Sequence, residues 1–91
     1  MMTTLIRRGD AMMEVGDISA ARLLYERAAL GGSGTAALNL ARTYDPEMLA
    51  RSGARGIHGD PEAAATWYRR AATLGEPSAE ARLRQMTGTG N

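Results

Sequence analysis

The sequence predicts an all-α fold: antiparallel helix pairs repeated along the chain as a short α-solenoid of about five helices. Three observations carry this: a repeat at an offset of 43 residues, an apolar content dominated by Ala, and helix start and stop signals at matching places in both copies. On that offset Gly16 and Asp17 fall on Gly59 and Asp60. Ala20, Ala21, Tyr25, Arg27, Ala28 and Ala29 fall on Ala63, Ala64, Tyr68, Arg70, Ala71 and Ala72, and Gly32, Ala36 and Leu40 fall on Gly75, Ala79 and Leu83. These eleven identities lie within a 25-residue window, and a repeat period of about 20–50 residues is the mark of a solenoid or array. The chain has no Phe, one Trp and three Tyr. A core built on Ala requires backbones that approach closely, which helices do well. Ala is also the best helix former, and β-branched apolar residues are scarce, so a sheet is not expected.

The elements follow in order. Residues 3–15 carry Leu5, Gly9 and Met12 on one helical face, with Ile6 and Met13 beside it. In the first copy Asp17 is an N-cap, Ala21, Leu24, Tyr25 and Ala28 form an apolar stripe, and Gly31-Gly32 stops the helix. Arg22 and Glu26 are spaced as a surface i,i+4 pair. Residues 35–44 present Ala36, Leu40 and Tyr44. In the second copy Asp60 caps and Pro61 takes the first helical position, where its missing N–H costs nothing. Its stripe is Ala64, Trp67, Tyr68 and Ala71, with Gly75 as the stop and Trp67 expected as the largest buried anchor. Residues 78–86 carry Ala79, Leu83 and Met86 inward and Glu80, Arg82, Arg84 and Gln85 outward, as a C-terminal capping helix should. Gly9, Ala21, Ala41 and Ala64 are small where an opposing helix presses closest. The domain is expected to span 1–86, with copies at 5–32 and 35–75, the cap at 78–86 and a flexible tail at 87–91.

The segment Gly56-Ile57-His58-Gly59-Asp60-Pro61-Glu62-Ala63-Ala64-Ala65-Thr66-Trp67-Tyr68-Arg69-Arg70-Ala71-Ala72-Thr73-Leu74-Gly75 resembles the second half of a Sel-one-like repeat, a family related to the tetratricopeptide repeats. Residues 16–32 match more loosely, and the likeness covers about residues 5–86. It implies a right-handed superhelix of helix pairs that scaffolds protein complexes, with no catalytic residues. It further implies that the first helix of each pair lines a concave groove, which here sets Asp10, Met13, Leu38, Asn39, Arg42 and Arg82 along the binding face. Asn39, Arg42 and Arg82 are the residues suited to grip a carboxylate or acidic peptide through charge-assisted hydrogen bonds. The chain departs from the family between Tyr44 and Asp60, where it is longer by about seven residues by alignment to the repeat. There Asp45-Pro46-Glu47 repeats the capping logic of Asp60-Pro61-Glu62 and starts a short extra turn through Arg51.

Other chemistries find little support. Net charge is +1, with eleven basic and ten acidic residues interspersed, whereas a nucleic-acid surface needs a one-sided basic stripe. All the basic residues are Arg, as the codon bias of a GC-rich bacterial genome would produce. Without Cys there are no disulfides or thiolate sites. His58 stands alone in a Gly-rich loop, short of the three or four ligands a metal needs. Gly31-Gly32-Ser33-Gly34-Thr35 superficially resembles a phosphate loop, but no strand precedes it and no Lys follows, so it reads as an inter-repeat turn. No carboxylate pair stands out as an acid–base couple. The N-terminus lacks the run of about 7–15 apolar residues of a secretory signal, and nothing approaches the roughly 20 of a membrane span. The expectation is therefore a soluble, cytoplasmic, non-enzymatic module without cofactor or metal. Its partner would be a protein or peptide, not nucleic acid or membrane. The alternative is a structural or self-associating terminal segment of a longer array, with a homodimer through the N-terminal helix by way of Ile6 and Met13.

Overall fold

The computed structural model describes residues 2–54 and 56–88. Six helices follow one another: α1 (Met2–Glu14), α2 (Ile18–Leu30), α3 (Gly34–Tyr44), α4 (Pro46–Ser52), α5 (Pro61–Thr73) and α6 (Pro77–Thr87). The expected number was about five. The sixth is α4, a true seven-residue helix where only an extra turn was anticipated. No strand occurs among the described residues. The 43-residue offset carries α2 onto α5 and α3 onto α6, residue for residue at both ends. α6 also runs one residue beyond its expected end, to Thr87, and closes on Gly88. Residues 89–91 of the expected tail lie outside the described residues.

Three of the connections use one device. After α2, Gly32 takes φ +101°, its N–H bonds Ala29 O at 2.9 Å, and the Ser33 N–H bonds Ala28 O at 3.1 Å. After α5, Gly75 repeats this at φ +97°, with the Gly75 N–H on Ala72 O and the Glu76 N–H on Ala71 O, both at 3.0 Å. This Schellman pattern satisfies carbonyls that a helix end would leave bare. After the first, Ser33 caps the following helix, its hydroxyl accepting from Ala36 N at 3.0 Å, whereas Glu76, the N-cap of α6, makes no side-chain capping bond. The α1–α2 turn is built alike, with Asp17 accepting from Ala20 N at 3.0 Å.

Each long helix packs on its neighbour in this order: α1 on α2, α2 on α3, α3 on α5 and α5 on α6, with α4 resting on α3. The result measures 38 × 29 × 16 Å, one flat row of helices in which α3 is central. Ala21, Ala28, Ala29, Ala36, Ala37, Ala41, Ala64, Ala71 and Ala79 are wholly buried, so the helices meet at backbone range, as the composition requires. Gly9 is the extreme case: a Cβ there would stand 2.5 Å from the Tyr25 ring. The largest fully buried side chain among the described residues is Tyr68, 1% exposed. Trp67, expected in that role, is only half-buried against the core. The two residues are about 100° apart on the helix, and it is Tyr68 that points at the centre.

The two outer helices turn polar faces outward. Where α3 buries Ala37 and Ala41, α6 has the exposed Glu80 and Arg84. On α1, Thr4, Arg7, Arg8, Asp10 and Glu14 are exposed beside the apolar Ala11, and Val15 just past its end is an exposed apolar residue. Ile6 and Met13 are half-buried and pack against the cluster of Ala21, Tyr25 and Leu40. Part of each side chain is therefore in contact with the molecule's own core.

Candidate functional site: a cleft over a buried carboxylate

The excursion between α3 and α5 is organised by Asp45. Its N–H closes α3 on Ala41 O at 3.0 Å and its C=O accepts from Leu49 N at 3.0 Å, so one residue ends a helix and begins the next. Its side chain caps α4 by accepting from Glu47 N at 3.1 Å. Pro46 at the first helical position lets the chain turn there without losing a donor. The carboxylate then turns inward. The Tyr68 hydroxyl donates to Oδ2 at 2.8 Å, and Arg82 donates Nε to Oδ2 at 2.7 Å and Nη2 to Oδ1 at 3.0 Å. Asp45 is 0% exposed, and these donors come from α4, α5 and α6.

Burial pushes the Asp45 carboxyl up, but the hydrogen bonds from Arg82 and Tyr68 and the guanidinium charge outweigh it and hold the group below the usual carboxylate range. Tyr68 is pushed well above an ordinary tyrosine by burial and then by Asp45. Arg82 is raised chiefly by its bond to Asp45. A bidentate guanidinium on a fully buried carboxylate is among the stronger polar contacts a protein makes. The pair extends to the surface, because Arg82 Nη2 also lies 2.9 Å from Glu47 Oε1, and Glu47 Oε2 lies 3.2 Å from Arg51 Nη2.

The far end of the excursion is tied back as well. The Asp60 N–H donates to Tyr44 O at 2.7 Å, and Gly59 sits so close to Pro46 that a Cβ would come within 2.7 Å of its ring. Arg22 is the third tie. It was expected to pair with Glu26 on the surface. Instead it reaches across to the end of α3, donating to Thr43 Oγ1 at 3.3 Å and to the Thr43 carbonyl, and to His58 O at 3.4 Å. Its guanidinium stacks over the Tyr44 ring at 4.0 Å. His58 thus contributes its backbone to the fold while its side chain is exposed.

Above Asp45 lies a cleft of about 280 Å³, lined by Leu38 and Arg42 of α3, Met48 and Arg51 of α4, Tyr68 of α5, and Ser78 and Arg82 of α6. Of the six residues expected along one groove, it gathers Leu38, Arg42 and Arg82. The other three stand apart. Asp10 is exposed on α1 and accepts from the Tyr25 hydroxyl. Met13 borders a different cleft of about 340 Å³, between the α1–α2 turn and the end of α4. Asn39 is half-buried on α3 and lines neither cleft. Arg82, read as a ligand-gripping residue, already holds a carboxylate of this chain. Met48 and Arg51 were not among the residues placed along the groove, since they sit on the helix that the repeat pattern does not contain. The signal that could have found Asp45 is the pair of tyrosines: two buried hydroxyls at matching positions each require an acceptor.

No group of three or more metal-ligating side chains occurs among the described residues, and no helix there is long and apolar enough to cross a membrane. Comparison of the chain with protein-family models, with curated proteins and with solved structures returns no match.

Proposed function

We propose that this chain is a non-catalytic protein–protein interaction module, and that an acidic peptide docks in the cleft between α3, α4 and α6. The observation that carries this reading is Arg42. It is exposed at the cleft and has no ion pair or side-chain hydrogen bond among the described residues. Its neighbours Arg51 and Arg82 are held by Glu47 and Asp45. A free guanidinium beside the apolar Leu38 and Met48 suits an acidic side chain next to an apolar one.

The reading is non-catalytic because the one buried carboxylate is already saturated. Asp45 accepts from Tyr68, Arg82 and Glu47 N and is held in its charged form, so it has no proton to give and no lone pair poised to take one. A Sel-one-like, right-handed superhelix is part of the same proposal. It draws on the Trp67-Tyr68-Arg69-Arg70-Ala71-Ala72 segment, the 43-residue repeat and the row-like packing order. The alternative, a terminal segment of a longer array, draws on the polar outer face of α6, where Glu80 and Arg84 replace buried alanines.

Affinity purification from the native organism with the wild type and with Arg42→Glu tests the cleft. The expected result is that partners held by the wild type are lost or strongly depleted with the variant. Equal recovery of the same partners by both would remove the cleft from the binding surface.

A further inference from the structure

Among the positions where α2 and α5 differ, two set an exposed leucine against an exposed threonine. On α2, Leu23 and Leu30 are 68% and 66% exposed. The residues 43 positions on are Thr66 and Thr73 of α5, also exposed. Their hydroxyls bond back to the Glu62 and Arg69 carbonyls at 3.0 Å each. α5 is thus the water-facing form of this surface, and α2 keeps two large apolar side chains in the same places.

Seven residues separate the two leucines, so they stand in line two turns apart. At about 100° per residue, Glu26 and Arg27 fall about 50° to either side of that line, and neither has an ion pair among the described residues. The face therefore has an apolar seam with a negative flank and a positive flank.

We propose that this face is the interface of a weak symmetric homodimer, in which α2 packs parallel to α2 of a second copy about a two-fold axis running along the helices. In that arrangement Leu23 meets the partner's Leu23 and Leu30 meets the partner's Leu30. The two-fold sets Arg27 opposite the partner's Glu26 on both sides of the seam. An antiparallel pairing would oppose like charges instead, so the face selects its own copy in one orientation. Four leucines bury far less than the roughly 1,200–2,000 Å² of a stable interface, which makes the dimer concentration-dependent. The surface is on α2, apart from the cleft between α3, α4 and α6, and peptide binding there does not depend on it.

Sedimentation equilibrium from about 10 μM to about 1 mM covers the range in which so small an interface associates. The wild type is expected to show a reversible monomer–dimer equilibrium. The double variant Leu23→Thr/Leu30→Thr, which copies the residues of α5, should stay monomeric throughout with unchanged helical content and melting temperature. Glu26→Arg and Arg27→Glu should each raise the dissociation constant on the order of tenfold, and the combined swap Glu26→Arg/Arg27→Glu should restore it. A wild type that stays monomeric to about 1 mM, or a dimer indifferent to the leucine substitutions, overturns the proposal. A swap that fails to restore association overturns the parallel two-fold.

Discussion

Tyr25 and Tyr68 hold the same position in the two copies, both are buried at 3% and 1% exposure, and each donates its hydroxyl to an aspartate from the preceding part of the chain. Their acceptors have little else in common. Asp10 is exposed on α1, so water solvates its other lone pairs. Asp45 is wholly buried and depends on Arg82, Tyr68 and the Glu47 N–H for every bond its side chain makes. The same tyrosine–aspartate bond is a local brace in the first copy and one strut of a closed network in the second. Burial of the acceptor decides which, because an unpaired charge is cheap in water and costly in the interior.

The sharpest test removes the buried acceptor. Asp45→Ala leaves the Arg82 guanidinium and the Tyr68 hydroxyl without their partner, and should cost about 3–5 kcal/mol, much of the stability of a domain this size. Urea denaturation measures it, and a loss below about 1 kcal/mol would reduce the network to the rank of a surface ion pair. Next come the donors. Tyr68→Phe should cost about 1–3 kcal/mol and Tyr25→Phe about 0.5–1.5 kcal/mol, so equal losses would erase the difference between the copies. The smallest effect is the dependence on pH, read from melting temperatures. Asp45 titrates below the ordinary carboxylate value of 3.8, so its contribution is complete above that value and disappears as the pH falls through the lower, folded one. Both tyrosines are raised above the ordinary 10.0, by burial first and then by their aspartates. Their contribution is complete below pH 10.0 and is lost as the pH climbs beyond it. The alkaline loss belongs to both copies and each Tyr→Phe removes part of it, whereas the acid-side contribution of Asp45 disappears with Asp45→Ala.

Much of the fold was legible because it is periodic. The alanines, the Asp17 and Asp60 caps and the Gly32 and Gly75 stops state helix boundaries through local geometry, and local geometry is what a sequence records. The site was less legible because its parts are far apart in the chain. Asp45 announces itself as a cap, which it is, but nothing near it says that Tyr68 and Arg82 will close over its carboxylate. Repeat logic also hides differences. Gly16 and Gly59 are matched identities, yet Gly16 is needed for its φ of +85° while Gly59 is needed because Pro46 lies against it. Trp67 outranked Tyr68 as an anchor on size alone, whereas the ring that points inward in both copies is the tyrosine, whose hydroxyl finds an aspartate.

The hydrogen bond from Asp60 N to Tyr44 O at 2.7 Å has a practical meaning. It fixes where α5 begins relative to α3 from within the frame itself, so the stretch between Gly53 and His58 does not set the spacing of the helices. Length added there acts only through closure entropy, about 0.6 kcal/mol per doubling of the loop. The excursion is thus a natural cassette position, where foreign sequence can be grafted after α4 while the helical frame keeps its register.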